Sequence, residues 1–590
     1  MRFHHPVFKS RLILLLFFYS ILGIILIIRL IQLQLIHGHD FEAKSKRNIV
    51  AYLYEPSLRG NILDRNRTPL TENKSAWDLY FQNGSKKQLK TTIEELLNIS
   101  QDPFLKTALK RSFSQPAFEP LLLIKNLSLE QMGSLAYLVY QKPYLKLKHR
   151  IIREYPFDES FAHLLGYTQP VQVMRFIDEE ADNERPIMGI EKEFHSYLKG
   201  KSSKILIEKN AQQKMLGTST ADDGKKGQDL ILTIDHKLQT LAYKILKNYQ
   251  IAGAIVAIDT KSGEILAATS YPSFSPEKIR NDPSIYAQQN NQPMFNRAFN
   301  GLYPPASLVK PILGIAALEE ALITKDTMIF DPGFFELEGS KKRYHDWKKN
   351  GHGYVNLSLS IAESCDTFFY KLGIDLGIEK MSQWFNLFGL GKNFELGLPH
   401  KTGIVPTKEW KLSALKEPWY KGESIVTAIG QGYLSATPLH LAYTAALIGS
   451  KGKTPQPTLI KGSTKILPSD KFKEITSWEL IHDAMDMVIS YKQGTAHKRL
   501  NYLKLPIAGK TGTAQVVSHN KSEGSLNAAH KDHSLFMAFA PKDNPSLAIV
   551  VIIEHEQYAT EIAGKFLKEV FSRNLLPTNE DKIELITDRL

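Results

Sequence analysis

The fold of this chain is decided by the stretch Tyr303-Pro304-Pro305-Ala306-Ser307-Leu308-Val309-Lys310, which runs into the apolar segment from Ile312 to Leu318. A serine followed three residues later by a lysine, at the start of a helix, places a hydroxyl and an amine on one face. An amine in that position can turn a weak alcohol into a nucleophile without a histidine. We therefore predict Ser307 as a nucleophile and Lys310 as its base.

Two further motifs lie downstream of this tetrad. They are Ser364-Cys365-Asp366 and Lys510-Thr511-Gly512-Thr513. Motifs of the types S-x-x-K, S-D-N and K-T-G occur together in penicillin-binding proteins and class A β-lactamases. The chain resembles these families in carrying all three types in order, with Asp366 where asparagine is more usual.

Other segments also match parts of the pattern, and the surroundings of at least three of them argue against a catalytic role. The tetrads Ser275-Pro276-Glu277-Lys278 and Ser413-Ala414-Leu415-Lys416 do not lead into a long apolar helix. Pro276 and the nearby Pro272 indicate a loop at the first, and Pro418 closes off the second. The triplet Lys401-Thr402-Gly403 runs towards a proline that would cut a strand short. Lys510 instead leads into Ala514-Gln515-Val516-Val517, which has the composition of a strand.

The resemblance extends over nearly the whole chain. The region from about Asp229 to about Phe571 is similar to the transpeptidase domain of class B penicillin-binding proteins, in particular the elongation type, penicillin-binding protein 2. The likeness is carried by short motifs: Asp331-Pro332-Gly333, Lys342 to Lys349, Gly351-His352-Gly353, Ala428 to Tyr433, Gly494 to His497, Ala538 to Pro541 and, upstream, Arg59 to Arg65 and Gly189-Ile190-Glu191.

The length of 590 residues is too great for a single core, so we expect several domains. The apolar run from Leu12 to Ile28 is long enough, with the residues after Arg29, to cross a bilayer, and no cleavage motif follows it. Together with the resemblance, these features predict a cytoplasmic tail at 1–11, a transmembrane helix at 12–32, a pedestal domain of the dimerisation type at 33–228, a transpeptidase domain at 229–575 and a flexible tail at 576–590.

The order of elements in the second half predicts an α+β fold. Two strands are expected from Gly253 to Asp259 and from Glu264 to Thr269, then long helices, then late strands at 507–517, 534–540 and 547–553. The resemblance implies that the first and last strands form one antiparallel sheet flanked by helices.

The composition of the chain indicates which classes of partner and which cellular compartment to expect. The net charge is +13, but the lysines are dispersed and no nucleic-acid-binding motif is found, so nucleic acid is not an expected partner. One cysteine excludes an intrachain disulfide and is compatible with a large periplasmic enzyme. The charges flanking the apolar run do not decide its orientation. The resemblance implies a single-pass protein of the inner membrane with its catalytic domain in the periplasm.

The resemblance also implies a role for each motif residue. Ser307 would attack the carbonyl of a D-Ala-D-Ala stem and form an acyl-enzyme, with Lys310 as the base. Ser364 would relay a proton to the leaving amine, and Asp366 would orient Lys310.

The third motif would bind the substrate. Lys510 and Thr511 would hold the terminal carboxylate of the donor stem, and Gly512 would let the substrate approach the strand closely. The backbone N–H groups of Ser307 and Thr513 would form the oxyanion hole.

A second site is expected at Asp331, Asp346, His352 and Cys365. Zinc accepts carboxylate, imidazole and thiolate ligands and takes four in a closed structural site. The residues alone also allow a plainer interpretation, in which Asp331 starts a turn and Cys365 is a small buried residue. Some elongation-type relatives that this pattern resembles carry zinc, which favours a structural zinc; acyl transfer itself needs no cofactor.

The expected function is a peptidoglycan D,D-transpeptidase of cell elongation and rod-shape maintenance that β-lactams inhibit. By resemblance, its partners are peptidoglycan peptide stems, a SEDS-family glycan polymerase and the membrane proteins of the elongation complex. Asp366 and the Asp/His/Cys set argue against a division-specific transpeptidase, and the long anchored N-terminal region argues against a β-lactamase or carboxypeptidase. A non-catalytic β-lactam-binding scaffold that activates a polymerase remains a third alternative.

Overall fold

A computed structural model of the protein describes residues 6–37, 39, 50–55, 57–82, 84–99, 105, 121–170, 184–209, 215–287, 289–516 and 531–576. The tail predicted at 576–590 lies, apart from its first residue, outside the described residues. The chain divides into two compact units. One comprises Met1–Arg59, Val171–Asn183 and Lys199–Gly227, and the other comprises Gly60–Pro170, Glu184–Leu198 and Gln228–Leu590.

The strands of the described chain are β1 (Val50–Glu55), β2 (Ile62–Leu63), β3 (Glu72–Phe81), β4 (Leu121–Ile124), β5 (Leu145–Glu154), β6 (Tyr167–Pro170), β7 (Glu184–Met188), β8 (Ser203–Lys209), β9 (Met215–Asp222), β10 (Leu230–Ile231), β11 (Gly253–Asp259), β12 (Ile265–Tyr271), β13 (Ile329–Asp331), β14 (Phe334–Glu336), β15 (Arg343–His345), β16 (Gly353–Val355), β17 (Ala508–Ala514), β18 (His533–Ala540) and β19 (Leu547–Ile553). The α-helices are Pro6–Ile31, Lys86–Ile99, Leu129–Gln141, Ala162–Leu165, Gly189–Glu193, His195–Lys199, His236–Tyr249, Pro276–Asn281, Arg297–Asn300, Lys310–Glu319, Leu357–Ala362, Asp366–Leu387, Lys408–Leu415, Lys421–Ala428, Pro438–Gly449, Trp478–Ser490, His497–Leu500 and Ala559–Ser572.

The first unit holds an apolar N-terminal helix and a small sheet. The helix Pro6–Ile31 continues into a π-helical turn, and the segment Ser10–Ile36 is long and apolar enough to cross a membrane, with a mean hydropathy of 2.7. The transmembrane helix predicted at 12–32 lies within it. Strands β1, β8 and β9 form an antiparallel sheet in that order.

The second unit begins with a lobe that has its own core. Its antiparallel sheet, in the order β4-β3-β5, packs with the helices Lys86–Ile99 and Leu129–Gln141 around buried leucine and isoleucine side chains. The second of these helices starts at a capping box, in which Ser128 and Gln131 each bond the other's backbone N–H.

The main sheet has the order β12-β11-β19-β18-β17, and every neighbouring pair is antiparallel. All residues of β19 are buried, which fits a central strand covered on both faces. The helices Pro438–Gly449 and Trp478–Ser490 pack on this sheet and on each other, as do His236–Tyr249 and Ala559–Ser572. The predicted α+β fold, with one antiparallel sheet built from the first and last strands, is therefore confirmed.

Candidate active site

Ser307 lies in a short 3₁₀ turn, Ala306–Val309, that leads directly into the helix Lys310–Glu319. Pro311 falls within the first turn of that helix, where a missing N–H leaves no hydrogen bond unmade. The rest of the helix is almost completely buried in the main core. The turn therefore holds a half-buried Ser307 whose backbone oxygen accepts a hydrogen bond from the N–H of Lys310, the residue that begins the helix.

The amine of Lys310 is fully buried and has three partners. Its Nζ donates to Asp366 Oδ1 at 2.7 Å, to the backbone oxygen of Ser364 at 2.8 Å and to Ser364 Oγ at 3.3 Å. A buried ion pair keeps its geometry because neither partner can be released without leaving a charge uncompensated. Asp366 thus orients the amine towards the Ser364 hydroxyl.

The amine of Lys510 reaches the same hydroxyl from β17. Its Nζ donates to Ser364 Oγ at 2.8 Å, so that oxygen accepts hydrogen bonds from both lysines. The Ser364 proton is then available to a further acceptor. Burial, together with the positive charge of Lys310, lowers the pKa of Lys510 well below its ordinary value. Ser364 itself has a φ of 59°, a left-handed conformation of the kind that concentrates at functional sites.

Strand β17 is the edge strand of the main sheet and carries the third motif. Thr511 is half-buried and Thr513 is exposed, so both can meet a ligand at the open edge. A Cβ placed on Gly512 would lie 3.3 Å from Leu308, the residue after Ser307, so glycine keeps this strand close to the serine turn. All three motifs therefore meet at one site.

Two further residues, which the sequence does not single out, contact the third motif at this site. The hydroxyls of Thr495 and Thr511 are 2.7 Å apart, and Gln431 Nε2 donates to the backbone oxygen of Thr513 at 3.0 Å. Both lie in segments that carried the family likeness, Gly494 to His497 and Ala428 to Tyr433, and that likeness was the only signal for them in the sequence.

The rejected segments lie in other settings, and the loop expected at the first tetrad is wrong, since Pro276 begins a short helix. Ser275 caps the helix Pro276–Asn281, and its Oγ accepts a hydrogen bond from the Lys278 N–H. Ser413 and Lys416 are both exposed. Gly403 precedes an isolated bridge and is not part of a strand.

The four predicted metal ligands come together beside the Ser364 loop. One donor atom from each of Asp331, Asp346, His352 and Cys365 lies within 4.8 Å of the others. His352 Nδ1 is 2.7 Å from Asp331 Oδ2 and 3.5 Å from Asp346 Oδ1, and Cys365 Sγ is 3.5 Å from Asp331 Oδ2. Among the described residues, buried His352 Nε2 has no hydrogen-bond partner. The donor set, with His352 Nδ1 as the nitrogen that lies next to both carboxylates, fits a zinc ion.

The cluster is also joined to the catalytic loop. Asp346 Oδ2 accepts hydrogen bonds from Asp366 N at 2.6 Å and Thr367 N at 3.1 Å, so its carboxylate caps the helix that begins with Asp366. Burial and the nearby Asp366 raise the pKa of Asp346, and burial and Asp346 raise the pKa of the Cys365 thiol. Asp346 therefore joins the cluster directly to Asp366, the partner of Lys310.

Comparison with known proteins defines the class of this fold and site. A model of the penicillin-binding protein dimerisation domain matches residues 54–232, and a model of the penicillin-binding protein transpeptidase domain matches residues 253–572. The chain therefore belongs to the transpeptidases of the penicillin-binding protein family.

Its relatives are of the type expected from the sequence. It is 33% identical over 577 residues to the peptidoglycan D,D-transpeptidase MrdA of Haemophilus influenzae, covering 92% of this chain and 88% of that one. The complex of penicillin-binding protein 2 and MreC from Helicobacter pylori has a TM-score of 0.76 at 29% identity, covering 90% of this chain and 100% of the other. A peptidoglycan synthase complex, described as coordinating polymerization and crosslinking, matches with a TM-score of 0.71 at 26% identity, covering 96% and 98%. The resemblance to penicillin-binding protein 2 is confirmed.

Proposed function

We propose that this protein is a peptidoglycan D,D-transpeptidase that cross-links peptide stems during cell elongation and rod-shape maintenance. The observation that carries the proposal is the convergence of Lys310 and Lys510 on the Ser364 hydroxyl, beside the turn that holds Ser307. The names of the relatives support the same reaction, since the Haemophilus protein is a peptidoglycan D,D-transpeptidase.

In the first half-reaction, Ser307 Oγ forms an ester with the carbonyl carbon of the penultimate D-alanine, and the bond to the terminal D-alanine breaks. The neutral form of the Lys310 amine accepts the hydroxyl proton of Ser307 and becomes the ammonium that pairs with Asp366. The Ser364 hydroxyl conveys a proton to the leaving amine. Negative charge on the carbonyl oxygen is met by the N–H groups of Ser307 and Thr513. The carboxylate of the leaving D-alanine is held by Lys510 and Thr511.

In the second half-reaction, an amine of the acceptor stem attacks the ester carbonyl and forms the cross-link. The proton lost by that amine returns to Ser307 Oγ, which restores the free enzyme. A β-lactam reacts with Ser307 as the donor stem does in the first half-reaction, and its opened ring stays attached to the serine as an ester.

The ion pair between Lys310 and Asp366, at 2.7 Å, favours the elongation type over the division type, since the elongation-type sequences share this aspartate. The scaffold alternative makes a different prediction in cells. If the protein acted only by activating a polymerase, Ser307→Ala would restore growth and rod shape to depleted cells, whereas a transpeptidase would not.

The apolar segment Ser10–Ile36 supports a single-pass inner-membrane protein, and we place the transpeptidase domain in the periplasm, where its substrate lies. The partners would be a SEDS-family glycan polymerase and the other membrane proteins of the elongation complex. The similarity to a synthase complex for polymerization and crosslinking, and to a complex with MreC, supports this assignment.

Covalent labelling with a fluorescent penicillin, followed by intact mass, tests the reaction. We expect one adduct on the wild type and none on Ser307→Ala. Ser413→Ala is the matched control, because Ser413 heads a tetrad of the same spacing on the surface, and it should label like the wild type. A well-folded wild type without an adduct, or an adduct that persists in Ser307→Ala, would contradict the proposed nucleophile.

The cluster of Asp331, Asp346, His352 and Cys365 would hold a structural zinc ion. When bound, zinc would neutralise the negative donors beside the helix Asp366–Leu387, and would take no part in acyl transfer. Metal analysis of protein prepared without chelators should find about one zinc per chain. Cys365→Ser should lower both the zinc content and the melting temperature, and unchanged values of both would disprove the site.

A further inference from the structure

Gly430 lies directly against the residue that precedes Ser307. Its backbone oxygen accepts a hydrogen bond from Ala306 N at 2.9 Å, and both residues have left-handed backbones, with φ of 71° and 50°. A Cβ on Gly430 would lie 2.1 Å from the Ala306 oxygen, so no other residue fits without moving the serine turn. One side of the proposed oxyanion hole is thereby tied to Gly430.

Gln431, the next residue, contacts the strand residue on the other side of the proposed oxyanion hole. Gln431 is buried, and its Nε2 donates to the backbone oxygen of Thr513 at 3.0 Å. The N–H and C=O groups of one strand residue point to the same side, and in an antiparallel pair they alternate between the partner strand and the other side. Because the Thr513 oxygen points to Gln431 at the open edge of β17, the Thr513 N–H faces that edge too.

We propose that Gln431 is a positioning residue for acylation, which together with Gly430 sets the separation between the N–H groups of Ser307 and Thr513. This inference rests on the proposed function. An oxyanion hole is effective only when both donors already occupy the places that the developing charge requires. Gly430 fixes one donor through its carbonyl oxygen and Gln431 fixes the other through its amide, so two adjacent residues span the hole.

The test is rapid-mixing acylation of the full-length protein in detergent by a fluorescent penicillin, which separates the initial binding constant from the acylation rate constant. Gln431→Leu keeps much of the side-chain volume and removes the donor. We expect its acylation rate constant to fall by about tenfold or more, since loss of a whole oxyanion donor costs about 10²–10³-fold. Initial binding should change by less than about twofold, because Lys510 and Thr511 still hold the carboxylate.

Matched variants separate positioning from general damage. Gln383→Leu makes the same exchange at an exposed position of the helix Asp366–Leu387 and should leave both constants unchanged. Gly430→Ala should also slow acylation, because it displaces the serine turn and with it the Ser307 N–H, the other donor of the oxyanion hole. Gly462→Ala is its control, because Gly462 has a φ of 81° but a Cβ there would meet no atom within 4 Å.

An acylation rate constant for Gln431→Leu equal to that of the wild type, or a loss confined to initial binding, would overturn the inference. If the leucine variant does not fold, Gln431→Met is judged by the same criterion, since it keeps the length and loses the donor. A wild type that fails to label while folded would instead count against the proposed function, so the two failures are distinguishable.

Discussion

Two tetrads in this protein have the same spacing of serine and lysine and very different surroundings. Ser307 and Lys310 lie where a 3₁₀ turn enters a buried helix, and the lysine amine is completely shielded from solvent. Ser413 and Lys416 lie at the end of the helix Lys408–Leu415, and both are exposed. Lys416 ends its helix with a left-handed backbone, with a φ of 61°, so the two tetrads share a spacing in sequence but not a helical geometry. The difference in chemistry must come from this local geometry and from what surrounds the two pairs.

Burial of a lysine does not by itself explain the difference in chemistry. Lys411, two residues before Ser413, is also fully buried, and its amine is 2.5 Å from Glu423 and 4.4 Å from the ring centre of Tyr420. Burial would lower the pKa of Lys411, but the Glu423 carboxylate outweighs it and the pKa is raised. Lys510, by contrast, is buried beside a second lysine, and its pKa is lowered well below the ordinary value. Lys510 therefore differs from the equally buried Lys411 in having a second lysine beside its amine and, among the residues that the structure describes, no carboxylate within hydrogen-bond distance.

The largest expected effect comes from replacing the lysine of each tetrad. Lys310→Met should slow acylation by a fluorescent penicillin by about 10²–10⁴-fold, the usual contribution of a general base. Lys416→Met, at the same position of the exposed tetrad, should acylate at the wild-type rate. Equal acylation rates for Lys310→Met and Lys416→Met would show that the buried lysine contributes no more to acylation than the exposed one.

A smaller effect should appear in the protons exchanged when a ligand binds. Because burial and Lys310 lower the pKa of Lys510, part of the Lys510 population is neutral at pH values below the ordinary lysine pKa. A ligand carboxylate favours the ammonium form, raises the pKa of Lys510 and draws a proton from the buffer. Calorimetry of penicillin binding to Ser307→Ala, in buffers of different ionisation enthalpy, should show uptake of up to about one proton as pH rises through the lowered pKa.

Lys510→Arg provides the control for that measurement. A guanidinium stays charged in proteins, so binding to the double variant should show no proton uptake from this position. Uptake that persists in the arginine variant, or that is absent at every pH in Ser307→Ala alone, would show that Lys510 is not the group whose protonation the carboxylate controls.

Local pattern was enough to predict much of this site, and tertiary contacts explain what it missed. The spacing of Ser307 and Lys310 and the strand that carries Lys510 could be predicted from the sequence, because the repeats of helices and strands span only a few residues. The expected strand at 507–517 is Ala508–Ala514 in the structure, the stretch that pairs with β18. Gln431 and its partner Thr513 are joined only by the packing of two distant segments, so no local rule could have paired them.

The smallest expected effect concerns the tetrad headed by Ser275, and it separates stability from chemistry. Ser275 Oγ accepts the Lys278 N–H and caps the helix Pro276–Asn281, so Ser275→Ala should lower the free energy of unfolding by about 1 kcal/mol. Acylation should be unchanged, because the serine contributes a cap and not a nucleophile. Denaturant unfolding and penicillin labelling of one preparation measure both quantities, with exposed Ser413→Ala as the control for each. A loss of labelling without a loss of stability would reverse the roles assigned to the tetrads, since it would make a helix cap part of the reaction.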